Sequence, residues 1–371
     1  MSASLPADCE LGPNVEIEAD EIEAGPGCRI GISDGDDFRT PPGVRIKVRR
    51  LVLGEGAQIG RSVRIEGGEI RLDDGVRVLR HSTIRVLDVL HVGAFGTVGE
   101  SCEISGRHVT FGQELWMLPG AKVGGGSAFE RTSRLEAGHF LHLGMDSLVN
   151  TARPVRIGHE VGLGTRTSIY THGAYPSRLM GFPVAFAGVE IGDYSWVPGA
   201  TINPGVRIGR NCVIGVNSLV TADIPDGALA AGSPAKVIKE NAYPQPLTPD
   251  RQRTFFTEFL ASYATLLGAD ERPATADDRV ELYADGTRYL ALVGSAGVHG
   301  DGRTLVIGDA PTAEGDLMTV LDTAARRVRG LADATSDRLT NELRRYGIRF
   351  YSRPRDGRYV DWGDPVPFAR S

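Results

Sequence analysis

The chain has 371 residues, of which 41% are hydrophobic and 24% are charged, a composition typical of a folded globular protein with two or three domains. Lys and Arg total 41 against 47 Asp and Glu, which gives a formal net charge of −6. A mildly acidic chain without a basic block is not expected to bind nucleic acid or an anionic membrane surface.

The cysteine and glycine contents narrow the class of protein further. The four Cys residues are far apart and form no Cys-x-x-Cys pair, so neither a disulfide framework nor a zinc knuckle is expected. The N-terminal sequence has no signal-peptide pattern, and no apolar run reaches the ~18 residues of a membrane span, so we expect a cytoplasmic protein without membrane insertion. Glycine contributes 48 residues, about twice its usual share, which indicates a repeated backbone constraint.

A six-residue repeat of aliphatic side chains organises most of the chain. It is weak over residues 1–50, at Leu11, Ile17 and Ile30, where we expect an irregular N-terminal coil or cap. From residue 51 to 240 it is regular, and Gly follows 13 of its 24 clearest positions, where composition alone predicts about three. These positions are Leu53, Ile59, Ile65, Leu72, Val78, Ile84, Val92, Val98, Ile104, Phe111, Met117, Val123, Ala137, Leu143, Val149, Ile157, Leu163, Ile169, Ile191, Val197, Ile202, Ile208, Ile214 and Val220.

A period of six fits neither a helix nor simple strand alternation. Three hexads make one coil of about 18 residues, and the first triplets begin 19 or 20 residues apart. A triangular coil with three short strands satisfies this spacing, because one aliphatic side chain then points inward from each side, and Gly follows where the chain turns a corner. Coils stacked at about 4.8 Å pair their backbones only with neighbouring coils.

The hexads resemble those of the hexapeptide-repeat acyltransferases, and the run Ile191 to Lys239 is most similar to the maltose, galactoside and nodulation O-acetyltransferase branch. The resemblance implies a mainly β fold, a left-handed parallel β-helix over residues 51–240, which is an exception to the right-handed crossover rule. It also implies an acyl-CoA donor and a homotrimer with each site between two subunits. We expect acetyl-CoA as that donor, because no feature of the sequence suggests a longer acyl pocket. Val197 to Ile202 departs from the pattern with five residues rather than six, which predicts a tightened corner.

The longest break in the repeat points to the chemistry. Ile157 to Ile191 spans 34 residues, so about 14 residues must leave the solenoid in a loop at 170–188. Long excursions from a regular scaffold are usually functional. This one carries His172, and the resemblance implies that His172 is the general base that deprotonates an acceptor hydroxyl or amine.

Neighbouring coils supply candidate acceptor contacts. Aligning Val149 with Ile169 brings Asn150 and Arg153 towards His172, where they could bind a sugar-like acceptor. Asn150 could equally satisfy turn backbone. Trp196 precedes the inward Val197, so its side chain should point outward. That position suits an acceptor platform or a subunit interface, and core packing is the alternative.

Small residues and one lysine near the end of the repeat are the candidate donor site. The resemblance implies that they line the pantetheine arm and the nucleotide of coenzyme A, with the lysine meeting phosphate as a point charge. These candidates are Gly199, Ala200, Asn217, Ser218 and Lys236.

A metal site is the less favoured interpretation of two stacked histidines. The coil alignment stacks His139 on His159, with Asp193 in the next coil, as in the γ-class carbonic anhydrases that share this helix. Such a site needs three His ligands, and His142 lies on another side of the coil. We therefore expect no metal here.

A different architecture is predicted after Pro246. Thr248 and Pro249 begin an amphipathic helix over 248–268 that we expect to pack on the β-helix or on a partner subunit. Residues 269–278 are typical of a linker. Residues 279–371 predict a small α+β domain of unknown role, with strands within 280–286, 288–294 and 304–309, helices near 313–329 and 335–346, and a hairpin at 353–362. The glycine-rich stretch 294–302, with His299, only weakly suggests a phosphate loop.

Two classes of function are compatible with these features. The first is an acyl-CoA-dependent O- or N-acyltransferase for a sugar, nucleotide sugar or similar small polar acceptor. The second is a non-catalytic β-helix scaffold whose C-terminal domain binds a partner. His172 in its long loop and the donor-like tail favour the enzyme. A homotrimer would bury the exposed aromatic residues Trp196, Phe182 and Phe186 between subunits.

Overall fold

The computed structural model describes residues 5–32, 43–268, 279–284, 287–294, 303–309, 311 and 316–366. The described residues divide into two compact units, one within 5–244 and the other within 245–366. The end of the hexads at Pro246 lies next to this boundary. The predicted linker 269–278 and the stretch 295–302 with His299 lie outside the described residues.

The first unit is a parallel β-solenoid in which each coil contributes to three columns of strands, here called the first, second and third faces. The first face is a sheet of 12 strands stacked coil upon coil. Its strands are Glu10–Leu11, Arg29–Ile30, Gln58–Ile59, Arg77–Val78, Thr97–Val98, Trp116–Met117, His142–Leu143, Gly162–Leu163, Trp196–Val197, Val213–Ile214, Leu229–Gly232 and Ala235–Lys239. Only the last of these pairs antiparallel to its neighbour on this face.

The second and third faces belong to one sheet of 14 strands. In the early coils a single long strand spans both faces: Val15–Ala24, Val44–Leu53, Arg64–Leu72, Thr83–Val92 and Glu103–Phe111. Later coils have separate strands. On the second face these are Lys122–Val123, Leu148–Val149, Ser168–Ile169, Thr201–Ile202 and Leu219–Val220, and on the third face Arg134–Ala137, Val155–Ile157, Val189–Ile191 and Arg207–Ile208. Three short strands per coil are therefore seen only in the later coils, because the early coils pass from face to face through bulges near Gly67 and Gly106.

The aliphatic repeat forms the core of this solenoid. All 24 hexad positions are buried except Ala137, which is partly buried against the same cluster. The strand registers stack equivalent hexad residues directly, as in Leu143 on Leu163 and Val149 on Ile169. Full burial of such a side chain contributes about 1.5 to 3 kcal/mol, so the repeat itself holds the coils together.

Glycine follows the hexad positions for a reason other than the expected freedom of φ. Gly138 and Gly158 are not among the residues with positive φ, which in these corners are Phe140 and Glu160, at 56° and 55°. A Cβ on Gly138 would lie 2.8 Å from the carbonyl carbon of Gly158, and one on Gly158 would lie 2.6 Å from the Asp193 nitrogen. Glycine is required there because adjacent coils approach too closely for any side chain.

The irregular cap expected over residues 1–50 is wrong for the described part of that segment. Val15–Ala24 pairs in parallel with Val44–Leu53 and forms the first regular coil. Its inward side chains are only partly buried, because among the described strands it has a neighbour on one side alone. Its outward Glu residues form ion pairs with the next coil, as between Glu18 and Lys47 at 3.0 Å. The hexads were weak here because the strand alternates with a period of two.

The second unit is a five-stranded mixed sheet packed against two helices. In spatial order the strands are Arg279–Ala284, Thr287–Val293, Arg303–Gly308, Met318–Asp322 and Arg327–Gly330. The helices Pro249–Leu266 and Ala334–Arg344 share one core cluster with this sheet, and a hairpin follows at Ser352–Arg355 and Arg358–Asp361. Among the described residues, no helix combines the length and apolarity that crossing a bilayer requires.

Two expectations for this unit are wrong. The helix predicted over 313–329 is instead two antiparallel strands, Met318–Asp322 and Arg327–Gly330. Every residue of the first strand is buried, including the polar Thr319 and Asp322, so it lacks the alternation of buried apolar and exposed polar residues that identifies a strand. The helix Pro249–Leu266 was expected to pack on the solenoid or on another subunit, but its apolar side packs in the core of its own unit.

Candidate active site

The excursion at 170–188 begins as a short antiparallel hairpin on the solenoid. His172–Gly173 pairs with Ala185–Phe186, which sets His172 opposite Phe186. A single 3-10 turn, Arg178–Met180, lies near the tip. The hairpin therefore leaves and re-enters the solenoid beside His172, at the corner between the second and third faces.

Asn150, one coil below, holds the imidazole of His172. Its Oδ1 accepts hydrogen bonds from Thr171 Oγ1 at 2.6 Å, His172 Nδ1 at 3.0 Å and the Ala152 amide at 3.3 Å. Asn150 is only 3% exposed. Two roles were considered for Asn150, binding the acceptor and satisfying turn backbone. These contacts fit the second role, and the same bonds orient His172.

The direction of the Asn150 amide fixes the tautomer of His172. Its Nδ2 donates to the carbonyl oxygens of Gly124 and Gly126, both at 3.0 Å, so the oxygen must face His172. An amide oxygen can only accept, so Nδ1 of His172 carries the hydrogen and Nε2 of the neutral ring is the proton acceptor. Gly126 lies beside Nε2, since a Cβ built on this glycine would lie 3.5 Å from that nitrogen.

A second excursion completes the surroundings of His172, and sequence reasoning missed it. Residues 124–133 leave the solenoid between the strands Lys122–Val123 and Arg134–Ala137, at the same corner as the hairpin. The available signal was the spacing from Phe111 to Ala137, which is 26 residues rather than 19 or 20. Below we call this segment the glycine loop, because it begins Gly124-Gly125-Gly126.

Arg153 joins the glycine loop to the hairpin. Its Nη1 donates to Glu130 Oε2 at 2.7 Å, to Thr132 Oγ1 at 3.0 Å and to the Ala152 carbonyl at 2.7 Å. The hydrogen bond from Arg153 lowers the pKa of the Glu130 carboxyl below its usual value. The guanidinium carbon lies 4.8 Å from the centre of the Phe186 ring. Arg153 was predicted to bind the acceptor substrate, and one of its nitrogens, Nη1, is already used by hydrogen bonds within the chain.

Phe186 connects Arg153 to His172. The phenyl and imidazole rings are nearly parallel, with centroids 6.0 Å apart and an interplanar angle of 14°. Phe186 nevertheless remains 45% exposed. The sequence predicts Phe186 as apolar surface for a subunit contact, and the structure adds these two contacts within the chain.

Among the candidate donor residues, Gly199, Ala200, Asn217 and Ser218 lie at another corner, between the first and second faces, and Lys236 lies on the last strand of the first face. Gly199 adopts a φ of 64° in the shortened turn from Val197 to Ile202, and Asn217 and Lys236 are exposed. The side chains of the remaining two candidates, Ala200 and Ser218, are buried and cannot contact a ligand. Ala200 is 1% exposed and packs in the core, and the buried Ser218 hydroxyl donates to Gly215 O and accepts from Gly232 N.

Trp196 lies in a row of aromatic side chains on the first face. It is 43% exposed, so the alternative of core packing is wrong. Strand register stacks Trp116, His142, Gly162 and Trp196 in successive coils. A Cβ on Gly162 would lie 2.3 Å from the Trp196 ring, so glycine makes room for the indole to lie against the sheet. This row is on a different side of the solenoid from His172.

The stacked histidines belong to a ladder of corner hydrogen bonds. His139 Nδ1 accepts the Gln113 amide at 2.9 Å, and His159 Nδ1 accepts the His139 amide at 3.1 Å. In the next coil, Asp193 accepts the His159 amide at 2.8 Å. Burial, followed by the neighbouring His159, lowers the pKa of His139. Within the described part of the chain, no three His, Cys, Asp or Glu residues are grouped to hold a metal ion.

No protein-family model matches the chain. A putative acetyltransferase of Saccharomyces cerevisiae is 43% identical over 91 residues, covering 23% of this chain and 45% of that protein. The galactoside O-acetyltransferase of Escherichia coli is 33% identical over 133 residues, covering 35% and 63%. A hexapeptide-repeat acetyltransferase of Vibrio cholerae, solved with acetyl-CoA, is 24% identical with a TM-score of 0.28, covering 40% and 70%.

The sequence relatives confirm the resemblance to the hexapeptide-repeat acetyltransferases, including the galactoside branch, that the repeats predicted. The chain spans 45% and 63% of the lengths of these two curated relatives, less than two thirds in each case.

Proposed function

We propose that the protein is an acyl-CoA-dependent O- or N-acyltransferase that transfers an acetyl group to a sugar, nucleotide sugar or similar small polar acceptor. The observation that carries the proposal is the anchored His172, whose Nδ1 donates to Asn150 and whose Nε2 is the open acceptor beside the glycine loop. The acetyltransferase relatives support the reaction class. The solenoid would then have the left-handed winding that the resemblance implies.

In the proposed reaction His172 acts as a general base. Nε2 takes the proton from the acceptor hydroxyl or amine while that oxygen or nitrogen attacks the thioester carbonyl carbon of acetyl-CoA. The new C–O or C–N bond forms, the C–S bond breaks, and the electron pair leaves on sulfur. The imidazolium then returns its proton to the thiolate, so the products are the acetylated acceptor and free coenzyme A, and His172 ends neutral.

Asn150 acts in this scheme as a positioning residue rather than as an acceptor ligand. Its five hydrogen bonds leave no free donor for a substrate. Arg153 can still meet the acceptor through Nε and Nη2, because only its Nη1 is used by the glycine loop and the solenoid.

Coenzyme A fits the corner between the first and second faces. The half-buried Gly199 and the exposed Asn217 would contact the thin pantetheine arm, and the exposed Lys236 can meet a phosphate. Buried Ala200 and Ser218 serve by being small, and Ser218 also ties the turn at Gly215 to Gly232.

The separation of the two half-sites supports a homotrimer. His172 lies at the corner between the second and third faces, whereas Gly199 lies at the corner between the first and second. One subunit would therefore supply the base and its neighbour the donor surface, with C3 symmetry and three equivalent sites. The exposed Trp116, Trp196 and Phe182 are surface that such a contact would bury.

The experiment that tests the proposal measures thiol release from acetyl-CoA in the presence of a panel of sugars and amines, together with the mass in solution. We expect acceptor-dependent release from particles near three times 39.7 kDa. Active particles of 39.7 kDa would refute the shared site. No coenzyme A binding by calorimetry would favour a non-catalytic scaffold instead.

A further inference from the structure

Phe186 is an exposed aromatic ring held in a fixed position beside the proposed base. It keeps 45% of its surface exposed although it stacks on His172 and contacts the Arg153 guanidinium. Other apolar side chains of the same hairpin are more exposed, with Tyr175 at 100% and Leu179 at 96%. Phe186 differs from them because it has partners on the protein side and an open surface towards solvent.

Strand pairing and two side-chain contacts, with His172 and with Arg153, fix this ring before any ligand binds. Strand pairing sets its backbone opposite His172, at the base of the hairpin rather than at the tip. Arg153 lies 4.8 Å from the ring centre and is itself immobilised by Glu130 and Thr132 of the glycine loop. A group ordered in advance costs a ligand little conformational entropy.

The position of Phe186 limits where an acceptor can lie. A hydroxyl that donates to His172 Nε2 must sit within about 3 Å of that nitrogen. The phenyl centroid is 6.0 Å from the imidazole centroid, so the atoms next to that hydroxyl come within reach of the exposed phenyl surface. Polar groups lie close to this ring: the Arg153 guanidinium lies over it, and the Glu130 carboxylate is hydrogen-bonded to Arg153 Nη1.

An apolar platform with a polar rim matches one class of molecule. A pyranose ring has a flat face of C–H groups that can cover a phenyl ring, and hydroxyls around its edge that need hydrogen-bond partners. We infer that Phe186 is the platform on which the acceptor's sugar ring stacks while one of its hydroxyls meets His172 Nε2. Phe186 is then a specificity-determining residue. This inference rests on the proposed acetyl transfer and names the acceptor class within it.

The test compares a cyclic and an acyclic acceptor in the same variants. For Phe186→Ala we expect kcat/KM for a methyl pyranoside to fall at least tenfold, while kcat/KM for glycerol changes less than threefold. Phe186→Leu, which keeps apolar bulk without a flat face, should share the selective loss, and Phe186→Trp should retain pyranoside transfer. Tyr175→Ala, an aromatic replacement elsewhere in the hairpin, is the matched control and should change neither value.

Water replaces glycerol as the small acceptor if glycerol is not acetylated, since hydrolysis of acetyl-CoA needs the same base without a ring to stack. Equal losses for both acceptors in Phe186→Ala and Phe186→Leu would overturn the inference, because Phe186 would then only support His172. Unchanged pyranoside transfer would also overturn it. Loss of the proposed function itself has a different signature, namely no thiol release by the wild type with any acceptor.

Discussion

Replacing Asn150 with alanine should lower both the stability of the solenoid and the rate of acetyl transfer. The change removes five hydrogen bonds, of which the four to Thr171, Ala152, Gly124 and Gly126 involve no catalytic group. At about 1 kcal/mol for each net bond, with some recovery by solvent, we expect a loss of about 3 kcal/mol in the free energy of unfolding. The imidazole of His172 also loses its anchor, and we expect kcat to fall about 10- to 100-fold.

A second variant separates these two effects. Asn150→Asp keeps an oxygen facing His172 and Thr171 but cannot donate to the carbonyls of Gly124 and Gly126. It should therefore lose about as much stability as the alanine variant while keeping more of the activity. Urea denaturation followed by circular dichroism gives the stability, and thiol release at a temperature where both variants are folded gives kcat. Asn203, which follows Ile202 in the next coil, is the matched control, and Asn203→Ala should change neither value by a comparable amount.

Two results would refute this reasoning about Asn150. An alanine variant with kcat within threefold of the wild type would show that the Oδ1 contact does not position His172. Equal loss of kcat in the alanine and aspartate variants, with both folded, would show that the acceptor oxygen is not the feature that matters.

Two further predictions concern the donor corner and the histidine ladder. Lys236→Ala should weaken coenzyme A binding by about 1 to 2 kcal/mol, or roughly 5- to 30-fold, as measured by calorimetry, and unchanged affinity would reject Lys236 as a phosphate contact. Because the pKa of His139 is lowered in the folded state, the unfolded chain binds more protons, so stability should fall as the pH drops from about 6.5 through the folded pKa. Protonated Nδ1 can no longer accept from the Gln113 amide, at a cost of about 1 kcal/mol. The melting temperature of His139→Asn should therefore depend less on pH between 7 and 5 than that of the wild type. An identical dependence would exclude His139 as the cause.

The solenoid could be predicted because an aliphatic side chain at every sixth residue marks the positions that point inward. The buried column and its registers, such as Val149 on Ile169, follow directly from that period. The early coils could not be predicted in detail, since alternation over Val15–Ala24 and the bulge near Gly67 replace the corner that separates short strands elsewhere. In the second unit, the fully buried strand Met318–Asp322 carries no period at all.

The candidate site was predictable where it breaks the repeat and not where it depends on side-chain direction. His172 could be found because the hairpin interrupts a regular spacing. The sequence could not choose between two roles for Asn150, acceptor binding and satisfaction of turn backbone. Coil alignment gives the neighbours of a residue but not the direction of its amide. Glu130 was missed although the spacing across the glycine loop was also too long. The burial of Ala200 and Ser218 was not predictable because a corner residue can face either side.

The most direct test of the central claim compares the wild type with His172→Ala in acceptor-dependent thiol release from acetyl-CoA. Calorimetry should show coenzyme A binding unchanged in the variant, and circular dichroism should show the same fold. The account predicts that kcat falls by about 10² to 10⁴, the usual contribution of a general base. A folded variant that releases thiol at nearly the wild-type rate with a good acceptor would contradict the assignment of His172 as the base.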